Sequence, residues 1–357
     1  MQRLPLETQT LYAEFLAQLL ATARHRSLGL APGCFTTKSV KGETYYYFQY
    51  SDPGGRTRQA YVGKKSPALD RVVERFLHER ADIEGDAARI QRLSAQLRIG
   101  GALSTDAAPA RILKAFADAG IFQLGGVLIG THAFAVMGNL LGVRWAGAYL
   151  KTQDIDIAGH SAIDIALPDL QADVPKILHT LEMGFVPVPP LNRKHPSTSF
   201  KVRGTALRVD FVTPQCKGRD DTPVIIKRFN VAAQPLRSLA YLLEQSQPAG
   251  IVNGGGVLVN VPHPARYALH KILVSRSRAV IDQTKAQKDL AQAAQLVEVL
   301  TEDRPGDLAL AWKALTREKG DMTDKVRAAA SRLATRFPEV CERLFSAIPS
   351  LRRPIKR

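Results

Sequence analysis

Three aspartates carry the clearest chemical signal in this sequence. Asp154 and Asp156 alternate with Ile155 and Ile157, and positions i and i+2 of a strand share one face. The two carboxylates should therefore project together while the isoleucines pack behind them. Their mutual repulsion is tolerable where a cation lies between them, and hard oxygen ligands suit Mg²⁺. The pair predicts a metal site on one face of a strand.

A third carboxylate, Asp210, lies in the alternating segment 206–212, which also has the pattern of a strand. A neighbouring strand would bring it beside the first pair. Three carboxylates that hold two metal ions about 3.5–4 Å apart are suited to nucleotidyl transfer. Asp154, Asp156 and Asp210 are therefore the predicted catalytic and metal-binding residues. Two Mg²⁺ ions are expected, with Mn²⁺ as an alternative.

The stretch 121–157 must position the first two acids. Its apolar run 125–129 predicts a buried strand, Gly130 and Thr131 a turn, and 132–141 a buried helix. A turn that opens a helix presents backbone N–H groups and the positive end of the helix dipole to an anion. Gly130 and Thr131 are therefore predicted to bind nucleotide phosphates.

A Gly-Thr turn, then Asp-x-Asp on a strand, then a single Asp on a later strand resembles the nucleotidyltransferase fold of the DNA polymerase β superfamily. The segments 129–133 and 152–157 are most similar to bacterial nucleotidyltransferase-fold proteins, which are related to the toxins of abortive-infection toxin–antitoxin systems. The resemblance covers roughly residues 107–300. It departs from the family pattern at Thr131, where Ser is usual, and in a longer gap before the acid pair, which implies an insertion near 144–151.

The resemblance implies an α+β fold with a mixed sheet flanked by helices. It also implies transfer of NMP from an NTP to a hydroxyl acceptor, with release of pyrophosphate. Asp154 and Asp156 would bind both ions, and Asp210 would bind the catalytic ion and help to deprotonate the acceptor. In related proteins a helix lysine at the place of Lys271 contacts the triphosphate, so Lys271 is a further nucleotide-binding candidate. A lysine on an apolar helix face also needs an anionic partner.

Other residues near the site receive simpler interpretations. His132 follows the turn and is predicted to be a packed core histidine. Arg276, Arg278, Lys285 and Lys288 continue a basic patch after the helix that carries Lys271.

The N-terminal part is predicted as a helix over 5–27, a three-stranded antiparallel ribbon over 35–63 and a long charged helix over 67–97. The ribbon interleaves aromatic and basic residues, and such a face can stack bases and neutralise phosphates. The predicted nucleic-acid-binding residues are Lys38, Lys41, Tyr45, Tyr47, Arg56, Arg58 and Lys64. The alternative is that Tyr45, Tyr47 and Tyr61 pack on a neighbouring helix while the cations are merely solvated.

These elements predict three parts of the chain. Residues 1–100 hold the first helix, the ribbon and the long helix. Residues 107–262 form the nucleotidyltransferase core, and residues 263–357 form a C-terminal helical bundle.

The composition of the chain indicates a class of binding partner and a cellular location. The net charge of +16 favours a polyanionic partner such as RNA. Cys34, Cys216 and Cys341 are far apart with no CxxC pair, so neither a zinc site nor a disulfide framework is indicated. No signal pattern is present at the N-terminus, and a cytoplasmic location is expected. The uncharged stretch 119–143 could span a bilayer by length, but its six glycines favour a buried strand and helix.

The expected partners are an NTP, an RNA acceptor such as a tRNA end, and an antitoxin protein. A small-molecule or protein acceptor is the alternative within the same chemistry. A nucleotidyltransferase scaffold without turnover, acting as a nucleic-acid-binding module, is an alternative of another class. A glycosyltransferase that uses Asp-x-Asp to hold a nucleotide-sugar metal would need neither the Gly-Thr turn nor Asp210.

Overall fold

The computed structural model describes residues 1–24, 33–51, 57–147, 152–160, 172–190, 192, 194–215, 221–277, 283–318 and 321–352. Within these ranges the fold is α+β. The predicted class is therefore confirmed, with a mixed sheet, flanking helices and a helical C-terminal part.

The N-terminal part carries a ribbon on a long helix. Its elements are β1 (Gln2–Arg3), α1 (Leu6–Arg24), β2 (Cys34–Val40), β3 (Glu43–Ser51), β4 (Thr57–Lys64) and α2 (Pro67–Ile99). Strands β2, β3 and β4 form an antiparallel three-stranded sheet in that order. The Ser66 side chain accepts a hydrogen bond from the backbone N–H of Leu69, and Pro67 occupies the first turn. Both features favour a helix start at this position.

The central part alternates strands with short helices. Its elements are α3 (Ala107–Asp118), β5 (Val127–Ile129), α4 (Gly130–Leu140), β6 (Val143–Arg144), β7 (Asp154–Ala158), α5 (Val174–Thr180), β8 (Phe185–Pro187), β9 (Ser199–Val202), β10 (Arg208–Pro214), β11 (Val224–Ile226), β12 (Val231–Leu236), α6 (Leu239–Leu243), β13 (Ser246–Ile251) and β14 (Val257–Pro262). The C-terminal helices are α7 (Pro264–Ser277), α8 (Gln283–Asp303), α9 (Pro305–Arg317), α10 (Met322–Arg336) and α11 (Pro338–Ala347).

The central sheet is mixed, as its seven described strands show. Its order is β11-β12-β10-β7-β5, with the β8–β9 hairpin attached to the first half of β10. Strand β10 runs parallel to β7 and β12, whereas β5 and β9 pair antiparallel with their neighbours. β7 therefore lies between β5 and β10, so the elements that carry the turn and the three acids are adjacent.

Two hydrophobic clusters hold the described elements together. The larger one runs from Ile112 to Leu351 and joins the sheet to the C-terminal helices. The smaller one joins α1 to the second half of α2 and contains Tyr12, Phe15, Leu19, Ile90, Leu93, Leu97, Ala102 and Val252. The division of the chain into parts at 100 and 262 stays a prediction.

Most predicted elements occur where the patterns indicated, and the differences are local. The helix predicted over 132–141 begins earlier, at Gly130. Strands β13 and β14 form a hairpin around the glycines 254–256. Residues 148–151 of the expected insertion lie outside the described residues. No helix in the described ranges is both long and apolar enough to cross a membrane.

Candidate active site

The pairing of β7 with β10 brings the three predicted acids together. Asp156 lies opposite Asp210 and Asp154 lies opposite Arg208 in a parallel register. Directly opposed residues share one face of a sheet, so all three carboxylates lie on the same side. Ile155 behind them is fully buried. The alternation predicted from the sequence is thus present, with the acids on one face and the isoleucines in the core.

The Gly130 turn lies directly against Asp156. Strand β5 pairs with β7 so that Ile129 is opposite Asp156, and α4 begins at the next residue. Gly130 has a φ of +67°, and a Cβ there would lie 2.0 Å from Asp156 Oδ2. Only glycine fits this position, because any other residue would combine an unfavourable backbone conformation with a clash. The start of α4, including the buried Thr131, therefore adjoins the acids.

Asp156 is the most perturbed acid of the site. Burial, together with the neighbouring charges of Asp210 and Asp154, raises its pKa to about 6, while Lys271 and Arg208 act in the opposite direction. The ionised cluster is therefore short of positive charge. A divalent cation with oxygen ligands would supply that charge, so the donor set of Asp154, Asp156 and Asp210 fits Mg²⁺ or Mn²⁺.

Asp210 is held by two donors that the sequence analysis did not identify. The Ser199 hydroxyl donates to Asp210 Oδ1, and Arg208 Nε donates to the same oxygen at 2.7 Å. Arg208 Nη2 also donates to Ser199 Oγ at 2.9 Å. Among the residues that the structure describes, no three Asp, Glu, His or Cys side chains are arranged as a ready metal site. Asp210 Oδ1 would have to exchange these donors to share an ion with Asp156.

Lys271 has its anionic partner within the protein. Its ammonium lies 2.6 Å from Asp289 Oδ1, and both side chains are almost completely buried. Burial opposes protonation, but Tyr267 and Asp289 together outweigh it and raise the Lys271 pKa. The anion that a buried lysine requires is thus Asp289 on α8. Contact of Lys271 with a triphosphate stays a prediction.

Tyr267 links this ion pair to the Gly130 turn. The Lys271 ammonium lies 5.3 Å from the centre of the Tyr267 ring. The Tyr267 hydroxyl donates to the backbone carbonyl of Gly130 at 2.6 Å. Burial raises the pKa of this phenol to about 12, so it keeps its proton and remains a donor. Helix α7 is therefore hydrogen-bonded to the turn beside Asp156.

Lys288 is a further cation near the acids among the described residues. It lies on α8 beside Asp289 and is half-buried. Burial and the charge of Lys271 lower its pKa, whereas Asp289, Asp154 and Asp156 act in the opposite direction. The ammonium therefore lies within electrostatic range of the acid pair. From the sequence Lys288 was assigned only to a basic patch, because nothing there indicated which side of α8 faces the site.

His132 is buried, as predicted for a core histidine. Burial lowers its pKa to about 4, so the ring is neutral near pH 7. Its Nε2 has no hydrogen-bond partner among the described residues.

The predicted nucleic-acid-binding residues lie on the ribbon, apart from the acid cluster. Tyr45 and Tyr47 are on β3 and Lys38 is on β2, while Lys41 forms the turn between these strands. Lys64 forms an ion pair with Glu43 at 2.8 Å. Arg58 is opposite Tyr50, on the other face from Tyr47. Arg56 lies outside the described residues.

The chain was compared with protein families, curated proteins and solved structures. Residues 108–317, more than half of the chain, match a family model described as nucleotidyltransferase. No curated protein matches the chain. Among solved structures, an antigenic nucleotidyltransferase-like protein from Paracoccidioides brasiliensis is similar, with 14% sequence identity and a TM-score of 0.40. That alignment covers 68% of this chain and 94% of the other.

Proposed function

The chain belongs to the nucleotidyltransferase family, and from this premise we propose that it moves NMP from an NTP to a hydroxyl acceptor in a metal-dependent reaction. The observation that carries this proposal is the strand register. It sets Asp156 opposite both Asp210 and Ile129, so that the acids meet the start of α4. Acids alone would bind a cation, but acids beside a helix N-terminus can bind a metal–triphosphate complex.

In this proposal the three acids have different roles in metal binding and proton transfer. Asp154 and Asp156 would hold both Mg²⁺ ions, and Asp210 would hold the catalytic one. Bound Mg²⁺ would neutralise charge on the triphosphate and lower the pKa of the acceptor hydroxyl. Asp210 accepts the hydroxyl proton as the acceptor oxygen bonds to the α-phosphorus. The bond from that phosphorus to its bridging oxygen breaks, and pyrophosphate leaves with the bonding electrons.

The turn and Lys288 would bind the outer phosphates. Backbone N–H groups at Gly130 and Thr131 face an anion at the start of α4, and the Thr131 hydroxyl adds a donor. We assign charge neutralisation on the leaving pyrophosphate to Lys288, since Lys271 is already paired with Asp289. Lys271 then acts by holding Tyr267 against the turn.

RNA is the acceptor that the charge distribution favours. The net charge of +16 and the basic, aromatic ribbon suit a polyanion with stacking bases. Transfer to a small molecule or a protein would follow the same chemistry and would not require the ribbon. A protein that binds nucleic acid without catalysing transfer would require only the ribbon.

A role as a cytoplasmic toxin or phage-defence component, with an antitoxin partner, is part of the proposal and is supported by the sequence resemblance. If the protein is a toxin, induced expression of the intact protein should arrest growth, whereas expression of Asp156→Asn should not. Growth that is unaffected by the intact protein would refute the toxin role.

The deciding experiment combines the purified protein with Mg²⁺, total tRNA and each α-labelled NTP in turn. Asp156→Asn removes a ligand but keeps the side-chain shape, and it relieves the charge repulsion that raises the Asp156 pKa. It should therefore unfold no earlier than the wild type and transfer no label. Asp118→Asn is the matched control, because Asp118 is an exposed carboxylate on α3.

Each outcome of this experiment has a distinct meaning. Label on RNA with the wild type and Asp118→Asn, abolished by EDTA and restored by Mg²⁺ or Mn²⁺, supports the proposal. Pyrophosphate release that depends on Asp156, without label on RNA, would indicate that the acceptor is a small molecule or a protein. RNA binding without NTP turnover in any variant would refute the enzyme and leave the binding module.

A further inference from the structure

The two faces of the ribbon have different surroundings. On one face Phe35, Tyr46 and Phe48 pack around Phe76 of α2 or against each other, with ring centres 5.1–6.4 Å apart. The Tyr46 hydroxyl donates to Asp70 of the same helix at 2.6 Å. This face anchors the ribbon to α2. The sequence allowed Tyr45, Tyr47 and Tyr61 to pack on a helix, but other aromatic residues of the ribbon do so.

The other face, here called the outer face, carries Tyr45, Tyr47, Tyr61 and Lys38. Tyr61 lies opposite Tyr47, and its ring centre is 5.7 Å from that of Tyr47 and 6.1 Å from that of Tyr45. Lys38 places its ammonium 4.8 Å from the centre of the Tyr47 ring. Tyr61 is 61% exposed. Tyr45 and Tyr47 are half-buried. The three phenol rings therefore form one row on the outer face, and Tyr61 is the most exposed of them.

The ribbon carries a net positive charge, whereas the charges of helix α2, on which it packs, cancel. Residues 33–65 contain six Lys or Arg and two acids, a net charge of +4. Residues 67–99 contain six Arg and six acids, which cancel. The net positive charge therefore lies on the ribbon, with Lys38 at the aromatic row and Arg58 on the opposite face. This pairing of cations with open aromatic faces is what holds single-stranded nucleic acid without sequence preference.

The ribbon is carried at a distance from the catalytic part. It packs on α2 at Phe76, whereas the same helix enters the core at Ile90. These residues are 14 positions apart, or about 21 Å along a helix that rises about 1.5 Å per residue. A ligand on the outer face is thus bound far from the point at which α2 joins the core.

We propose that the outer face binds a single-stranded segment of the nucleic-acid acceptor, with bases stacked on Tyr45, Tyr47 and Tyr61 and phosphates near Lys38. The acceptor role rests on the proposed function, whereas nucleic-acid binding itself does not. An acidic protein partner would be attracted by the charge, but it would not need a row of open rings. Because the row is remote from the core, it would hold the body of a long acceptor and not its reacting end.

The test measures fluorescence anisotropy with a labelled, unstructured RNA of about 16 nucleotides, without NTP or Mg²⁺. Tyr47→Ala and Tyr61→Ala should each weaken binding about 5- to 150-fold, the range for loss of one base–aromatic stack. Lys38→Gln should reduce the slope of log K against log salt by about 0.7, the value for one phosphate contact on a single strand. Tyr50→Ala is the matched control, because Tyr50 is an exposed tyrosine of the same strand that points to the opposite face.

Two further comparisons distinguish base stacking from charge attraction, and RNA binding from nucleotidyl transfer. Heparin is a polyanion without bases, so the tyrosine variants should bind it as the wild type does. Asp156→Asn should bind the RNA like the wild type even if it transfers nothing. In a transfer assay, the tyrosine variants should raise the KM for the long RNA far more than the KM for a dinucleotide acceptor.

Unchanged RNA affinity in Tyr47→Ala and Tyr61→Ala would overturn the proposal and leave the outer face to a protein partner. Equal losses with RNA and heparin would also overturn it, because the rings would then matter only through charge placement. The proposal would also be overturned if the wild type bound RNA no more tightly than it binds heparin.

Discussion

Replacing Lys271 by methionine should destabilise the protein strongly. The substitution keeps the volume of the side chain but leaves Asp289 buried without its counter-ion, and that side chain is only 5% exposed. Removal of one partner from a buried ion pair costs about 3–5 kcal/mol. Because folded domains are stable by only about 5–15 kcal/mol, this is a large fraction of the total. The free energy of unfolding from urea titration at pH 7 measures it.

A second substitution tests whether the loss belongs to the pair. In Lys271→Met/Asp289→Leu both charges are gone, and well-packed apolar replacements of buried pairs are often neutral or stabilising. The double variant should recover most of the stability lost in Lys271→Met. The difference between the double variant and the sum of the single ones gives the interaction energy.

Lys288→Met is the contrasting variant. Burial already disfavours the charge of Lys288, so its removal should leave stability unchanged or raise it, while the KM for NTP rises. The reasoning would be refuted by the opposite pattern, in which Lys271→Met is as stable as the wild type but loses NTP affinity. Lys271 would then be free to leave Asp289 and contact the triphosphate.

Three further substitutions probe the site. Gly130→Ala should abolish transfer and weaken NTP binding, measured by isothermal titration, because its Cβ would lie 2.0 Å from Asp156 Oδ2; unchanged affinity would contradict the contact. Arg208→Gln should tighten Mn²⁺ binding several-fold, measured by electron paramagnetic resonance, because a cation beside Asp210 opposes a second one; weaker binding would indicate that Arg208 orients the ligand. His132 should make the protein acid-sensitive. Its folded pKa of about 4 lies below the usual 6.5, so the unfolded chain binds the extra proton and stability falls as the pH drops from 6.5 to 4. The full loss is about 3 kcal/mol at about 1.4 kcal/mol per pKa unit, and a His132→Gln unfolding curve with the same pH dependence would contradict it.

The acid pair and its turn could be predicted because their signals are local. Asp154 and Asp156 share a face through the two-residue period of a strand, and Gly130 ends an apolar run. Asp210 has no such local link. Its placement opposite Asp156 depends on the order of strands in the sheet, which only the family resemblance supplied.

The partners of the charged residues could not be predicted, for two different reasons. Lys271 meets Asp289 because α7 and α8 pack with a particular rotation about their axes, and periodicity fixes the apolar face of each helix but not their relative phase. Ser199 meets Asp210 through the register of the β9–β10 hairpin. A shift of one residue in that register would turn Ser199 to the opposite face.

The hydrogen bond from Tyr267 to Gly130 makes the first C-terminal helix part of the site. Its donor lies beyond residue 262 and its acceptor lies in the turn beside Asp156. Lys271 on α7 lies 5.3 Å from the centre of the Tyr267 ring and is paired with Asp289 on α8. The position of the Gly130 carbonyl therefore depends on how two C-terminal helices pack. A change in that packing would move the Gly130 turn, even though none of the three acids lies on those helices.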